Sequence, residues 1–117
     1  MGLYRLSIEE KEIIFINTWR GTGSGFAHET ELYIDGWKAA EARCLYINRT
    51  WERYSYQSVM LEAVHQLQEE ETAREKARFL QVNGYKNMMA SRKSAFEADL
   101  AKNKNLLFYK KIEEALR

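Results

Sequence analysis

The chain has 117 residues, 45% hydrophobic and 30% charged, with a formal net charge of +1. That is one domain's worth of chain, too apolar for a disordered tail and too nearly neutral for a dedicated nucleic-acid binder. A single cysteine, Cys44, excludes an internal disulfide framework and a cysteine-ligated zinc site.

The N-terminal residues Met1–Arg5 lead into Glu9, Glu10, Lys11 and Glu12, and no apolar run is longer than the four residues Ile13–Ile16. Neither a signal peptide nor a membrane span is expected, and a cytoplasmic location is the consistent reading. Glu12–Trp19, rich in β-branched and aromatic residues, is the first predicted strand. Phe26–Ile34 and Lys38–Asn48 are two more. The loop Arg20-Gly21-Thr22-Gly23-Ser24-Gly25 separates the first two, and the turn Ile34-Asp35-Gly36-Trp37 the last two.

The register of the second hairpin follows from its side chains. A two-residue Asp35-Gly36 loop with regular strands sets Thr30 beside Glu41 and His28 beside Arg43, mixing apolar and charged groups on each face. A three-residue loop, with Gly36 left-handed in a bulge, shifts the pairing by one. Phe26, His28, Thr30 and Leu32 then share a face with Ala40, Ala42, Cys44 and Tyr46, and Glu29, Glu31, Glu41 and Arg43 take the other. A half-buried antiparallel sheet requires that segregation, so the three-residue loop is expected.

Thr50–Tyr56 is a polar-aromatic connection, and Ser55 is a suitable N-cap for a helix that opens near Tyr56 or Gln57. Val59, Met60, Ala63, Val64 and Leu67 fall on one arc at helical spacing, the stripe that would cover the sheet. Beyond Leu67 the arc carries Glu70, Glu71 and Arg74, so the helix is expected to leave the core or bend, with Ala73, Ala77 and Leu80 as a weaker second stripe. Asn83-Gly84 is a helix stop. Two more helices are predicted, about Tyr85–Lys102 and Leu106–Leu116, hinged at Asn103-Lys104-Asn105. The expected architecture is one α+β domain over residues 1–117. A three-stranded antiparallel sheet over about 12–48 precedes three helices, about 56–116, packed on one face or extending from it.

No arrangement of residues announces chemistry. Gly21-x-Gly23-x-Gly25 joins strand to strand, whereas a phosphate cradle needs its glycines ahead of a helix. Its expected role is a hairpin loop with Arg20 and Thr22 at the tip, available to a partner. His28 is expected on the apolar sheet face as a core histidine. His65 follows Glu62 at the spacing of half a di-iron carboxylate motif, but no second copy exists, and a solvated helix face is the simpler reading. Cys44 alternates with Ala40, Ala42 and Tyr46 and reads as inert packing. No enzyme, no cofactor and no metal is expected.

Two other features suggest binding. Residues 1–73 hold seven Lys/Arg against twelve Asp/Glu, and residues 74–117 hold eleven against five. The halves can attract one another within the fold, or the basic half can meet an anionic partner through Lys86, Arg92, Lys93, Lys104 and Lys111. Arg49, Trp51, Arg53, Tyr54 and Tyr56 form the densest aromatic-basic cluster, either a core edge or an interface hot spot.

The segments Gly25–Gly36 and Tyr46–Val59 include the blocks Asn48-Arg49-Thr50-Trp51-Glu52 and Tyr56-Gln57-Ser58-Val59. Over about residues 12–67 the chain resembles a family of small proteins from phages and conjugative elements of Gram-positive bacteria; the helical tail lies outside the likeness. The resemblance brings no catalytic residue with it. It implies a non-enzymatic phage or mobile-element protein that binds and inhibits a host defence nuclease, in the manner of an anti-CRISPR protein. Its partner would be a host protein such as a CRISPR effector nuclease, met in the bacterial cytoplasm by a monomer or homodimer. The alternatives are a nucleic-acid-binding accessory protein using the basic C-terminal helices, and a homo-oligomeric structural module.

Overall fold

The computed structural model describes residues 2–22, 25–47, 56–83 and 90–117. They form an α+β fold in the order β1 (Gly2–Ile8), β2 (Lys11–Thr22), β3 (Gly25–Ile34), β4 (Trp37–Ile47), α1 (Tyr56–Asn83), α2 (Ala90–Lys102) and α3 (Lys104–Leu116). All adjacent strands are antiparallel, in the sheet order β1-β2-β3-β4. The sheet therefore has four strands where the sequence predicts three. The additional strand, β1, escapes detection because its turn is Glu9-Glu10, held left-handed at φ of 53° and 66°. Two-residue hairpin loops of this kind ordinarily use Asn-Gly or Asp-Gly, and two glutamates give no turn signal.

Between β3 and β4 the structure reaches the expected register by a different route. The loop is the two-residue Asp35-Gly36, closed by the pair Ile34↔Trp37, and both loop residues have positive φ. An irregularity follows at once: Tyr33 pairs with Lys38 but Leu32 with Ala40, leaving Ala39 as the extra residue. His28 then faces Cys44 and Thr30 faces Ala42, the segregation the side chains demand. A tight turn plus a bulge does the work assigned to a longer loop.

The helices cover one face of the sheet. Val59, Met60, Ala63, Val64 and Leu67 of α1 and Phe108, Ile112 and Leu116 of α3 close over Ile13, Phe15, Leu32 and Ala42. α1 lies on β3 and β4. On the β1–β2 side, α3 meets the sheet where Lys11 Nζ stands 5.0 Å from the centroid of the Phe108 ring and Lys111 pairs with Glu9. Gln57 Nε2 donates to the Leu116 carbonyl at 2.5 Å, tying the start of α1 to the end of α3. The distal half of α1 runs beyond the sheet and carries α2, with Phe79 packed on Phe96 at 5.5 Å. The radius of gyration is 17.3 Å, above the roughly 13 Å of a spherical domain of this length.

Three helical details differ from the sequence reading. α1 runs past the sheet after Leu67, one of the two outcomes the arc implies, yet Glu71 on that arc is buried, 3% exposed, rather than solvated. The second stripe is not Ala73-Ala77-Leu80: both alanines are exposed, and the buried residue is Phe79. α3 begins at Lys104 rather than Leu106, since Asn103 is its N-cap and accepts from the Leu106 N–H at 2.9 Å. The hinge is a single capping residue.

Candidate binding surface

Cross-strand register decides which residues share the uncovered face. Leu3 pairs with Ile16, Arg5 with Ile14, Ile14 with Tyr33, and Tyr33 with Lys38. These partners alternate with the buried Ile13, Phe15 and Asn17, so they point away from the helices. Leu3, Ile16, Ile14 and Tyr33 form an oblique apolar band across three strands, and Leu3 is 57% exposed. No described element packs over this band.

Two ion-pair clusters border it. Glu29 accepts from Arg20 Nη2 at 2.6 Å and lies 3.3 Å from Arg43 Nε, so one carboxylate joins β2, β3 and β4. Glu31 and Glu41 stand directly opposite one another, a repulsive pairing. Lys38 resolves it by bridging them at 3.3 and 2.8 Å, and both contacts raise its pKa. Tyr33 donates its hydroxyl to Glu31 at 3.1 Å, and that bond raises the phenol's pKa. The border therefore combines three acidic and three basic groups at fixed positions.

The candidate residues named from the sequence scatter over the molecule. Arg20 and Thr22 lie within β2, where Thr22 pairs with Gly25, and not at a loop tip. Arg20 is nevertheless part of the border just described. Arg49, Trp51, Arg53 and Tyr54, and Lys86, lie outside the described residues. The aromatic-basic cluster is represented by Tyr56 alone, which stacks on His28 at 4.4 Å. Arg92 belongs to α2, and Lys93 is exposed on that helix. Lys104 and Lys111 do share a stripe of α3, lining a shallow cleft with Lys110, Leu107, Glu9 and Glu114. Lys111 is already paired with Glu9, so one contact between the acidic front and the basic back lies within the fold.

Burial favours the neutral forms of two groups on the covered side of the sheet, His28 and Cys44. His28 faces Cys44 on the covered side of the sheet. Burial lowers the His28 pKa and raises that of Cys44, and the Glu62 charge adds to the Cys44 shift. The thiol is thus poorly suited to nucleophilic attack. His65 is not on a free helix face but 3.5 Å from Glu113 of α3. Among the described residues, no three His, Cys, Asp or Glu side chains converge as a metal site would require, and no helix is long and apolar enough to cross a membrane.

A second polar centre, unmarked in the sequence, joins the helices. Glu71 accepts from Asn103 Nδ2 at 3.0 Å, from Arg74 Nη2 at 2.8 Å and from Arg78 Nη2 at 3.2 Å. Burial by itself raises the carboxyl pKa, but the Asn103 amide and the Arg74 guanidinium more than offset it and hold the group low. Searches against protein-family models, curated proteins and solved structures find no match to the chain.

Proposed function

We propose that this chain is a non-enzymatic protein of phage or mobile-element origin that binds and inhibits a host defence nuclease, in the manner of an anti-CRISPR protein. The observation that carries the reading is the band Leu3–Ile16–Ile14–Tyr33 on the uncovered sheet face, set between the Glu29 and Lys38 ion-pair clusters. An antiparallel sheet covered on one side ordinarily turns polar side chains to water on the other. An apolar band bordered by fixed charges has instead the composition of an interface, with an apolar centre and a polar rim. The host-nuclease identity rests on the resemblance of the Asn48–Glu52 and Tyr56–Val59 blocks to phage and conjugative-element proteins. Immobilised chain exposed to lysate of a CRISPR-bearing bacterium should retain a nuclease or nuclease complex, identified by mass spectrometry, and should block its cleavage stoichiometrically. Recovery of no nuclease would overturn the reading.

The basic tail favours one other reading. Lys104 and Lys110 are exposed beside Lys111 in the α3 cleft and make no ion pair among the described residues. A nucleic-acid accessory role would give a gel shift that weakens steeply with salt. A flat titration at low salt removes it.

A further inference from the structure

We infer that the outer edge of β1 takes up an extended segment of a partner protein as a fifth strand, with an acidic side chain of that segment against Arg5. The inference rests on the protein-binding reading above and specifies how the partner is recognised.

The backbone geometry comes first. Asp35 N donates to the Glu12 carbonyl at 2.8 Å, so the even-numbered residues of β2 turn their main-chain groups toward β3. The odd-numbered ones, Ile13, Phe15 and Asn17, therefore face β1, where their partners are Leu6, Tyr4 and Gly2. The remaining groups of β1, the N–H and C=O of Leu3, Arg5 and Ser7, point away from the sheet. β1 is an edge, and no described element pairs with that side.

Exposed edges are ordinarily blunted by proline, bulges, very short length or charged side chains, and of these β1 carries only the last, Arg5. β1 has seven residues, pairs with β2 without a register break, and belongs to a chain with no proline. It presents a regular ladder to which a strand can be added.

The charge on this edge selects the occupant. Arg5 is its only ionised side chain; it is exposed and makes no ion pair among the described residues. A second copy added antiparallel in full register would set Arg5 against Arg5, and like charges directly opposite destabilise a ladder. The group that opposes self-pairing invites a carboxylate. Leu3, two residues along on the same face, calls for an apolar neighbour beside it and continues the band toward Ile16. The segment that fits is extended, apolar at alternate positions, with one Asp or Glu opposite Arg5.

The test uses two capped seven-residue peptides of alternating valine and threonine, one with a central glutamate and one with a central lysine. Each is titrated by fluorescence polarisation against the full chain and its Arg5→Glu and Ser7→Pro variants. Ser7→Pro deletes one outward N–H and leaves the β1–β2 ladder intact. The glutamate peptide should bind about fivefold tighter than the lysine peptide, the size of an exposed ion pair. Arg5→Glu should invert that preference, and Ser7→Pro should abolish both titrations without changing the far-ultraviolet circular dichroism. Absence of binding, equal affinity for the two peptides, or undiminished binding to a folded Ser7→Pro chain would overturn the inference. So would light scattering that shows a dimer dissociated by Ser7→Pro, since a second copy would then hold the edge. A nuclease captured equally by the wild type and both variants would sink the edge inference alone. Charge-selective peptide binding without nuclease capture would sink the nuclease reading alone.

Discussion

Asn17 and Thr30 stand opposite one another on β2 and β3 beneath α1, and each buries a side-chain oxygen that has no hydrogen-bond partner among the described residues. Asn17 is 5% exposed and Thr30 1%. Only the Asn17 amide finds a contact, Nδ2 donating to Met60 Sδ at 3.5 Å, a weak acceptor. A buried polar atom without a partner destabilises the fold, whereas an apolar group of the same shape does not. Thr30→Val keeps the β-branched shape and removes the unpartnered hydroxyl. It should raise stability by about 1 kcal/mol, read from the urea midpoint at constant slope. A lower midpoint would mean that the hydroxyl is satisfied in solution.

Glu71 and Glu113 set the acid limit of the helical layer. Glu113 accepts from Gln68 at 3.0 Å and Arg117 at 3.1 Å, and these bonds hold its pKa low, as Asn103 and Arg74 do for Glu71. For carboxylates depressed in the folded state, the contribution is complete at neutral pH and is lost as pH falls through the lowered folded-state pKa. The contribution of these two carboxylates should therefore decline below the usual carboxylate range and be flat around neutrality. Glu71→Gln removes the charge that two arginines and an N-cap side chain converge on. It should cost about 1–3 kcal/mol at neutral pH and flatten the acid limb of the stability profile. An unchanged acid limb would remove Glu71 from this role.

The two tight turns give opposite expectations for glycine. Glu10 holds a φ of 66°, where an L-residue with a Cβ is strained. Glu10→Gly should stabilise the chain by about 1 kcal/mol, because relief of that strain exceeds the added freedom of the unfolded chain. Gly36 sits at a φ of 82° in open space, and a Cβ there would have no atom within 4 Å, so Gly36→Ala meets no clash. The alanine should still cost about 1 kcal/mol, from the backbone alone. Thermal melts of the two variants moving in the same direction would refute the argument.

What the sequence made legible is what side-chain periodicity controls. The alternation of Phe26–Leu32 against Ala40–Tyr46 identified the covered face, and the Val59–Leu67 arc identified the helix that covers it. Features decided by backbone conformation were hidden. Two glutamates in a left-handed turn conceal β1, and an alanine in a bulge does the work assigned to a three-residue loop. Charge was misread wherever burial depended on a distant partner. Glu71 looked like solvated surface because the residue that satisfies it, Asn103, lies far along the chain and caps another helix. The outer band was invisible for a related reason: its most exposed member, Leu3, belongs to the strand the sequence concealed.

That band permits a direct separation of folding from binding. Ile16 lies between Leu3 and Glu31 on the uncovered face, and its neighbours Phe15 and Asn17 are the residues turned to the core. A lysine at position 16 keeps its methylenes on the sheet and its ammonium in water, so Ile16→Lys should shift the melting temperature by only a few degrees, about 1 kcal/mol or less. At an interface the same change places an unpaired charge in the apolar centre of the band. It should weaken partner binding by about 2 kcal/mol or more, which is at least some thirtyfold, and abolish nuclease inhibition. Phe15→Ala, one residue away on the covered face, should do the reverse and cost about 3–5 kcal/mol of stability. If Ile16→Lys captures and inhibits as the wild type does, the uncovered face is solvated surface and the partner binds elsewhere. If it unfolds the chain, the band is core that another part of the chain covers. Only loss of binding by a folded variant agrees with the assignment.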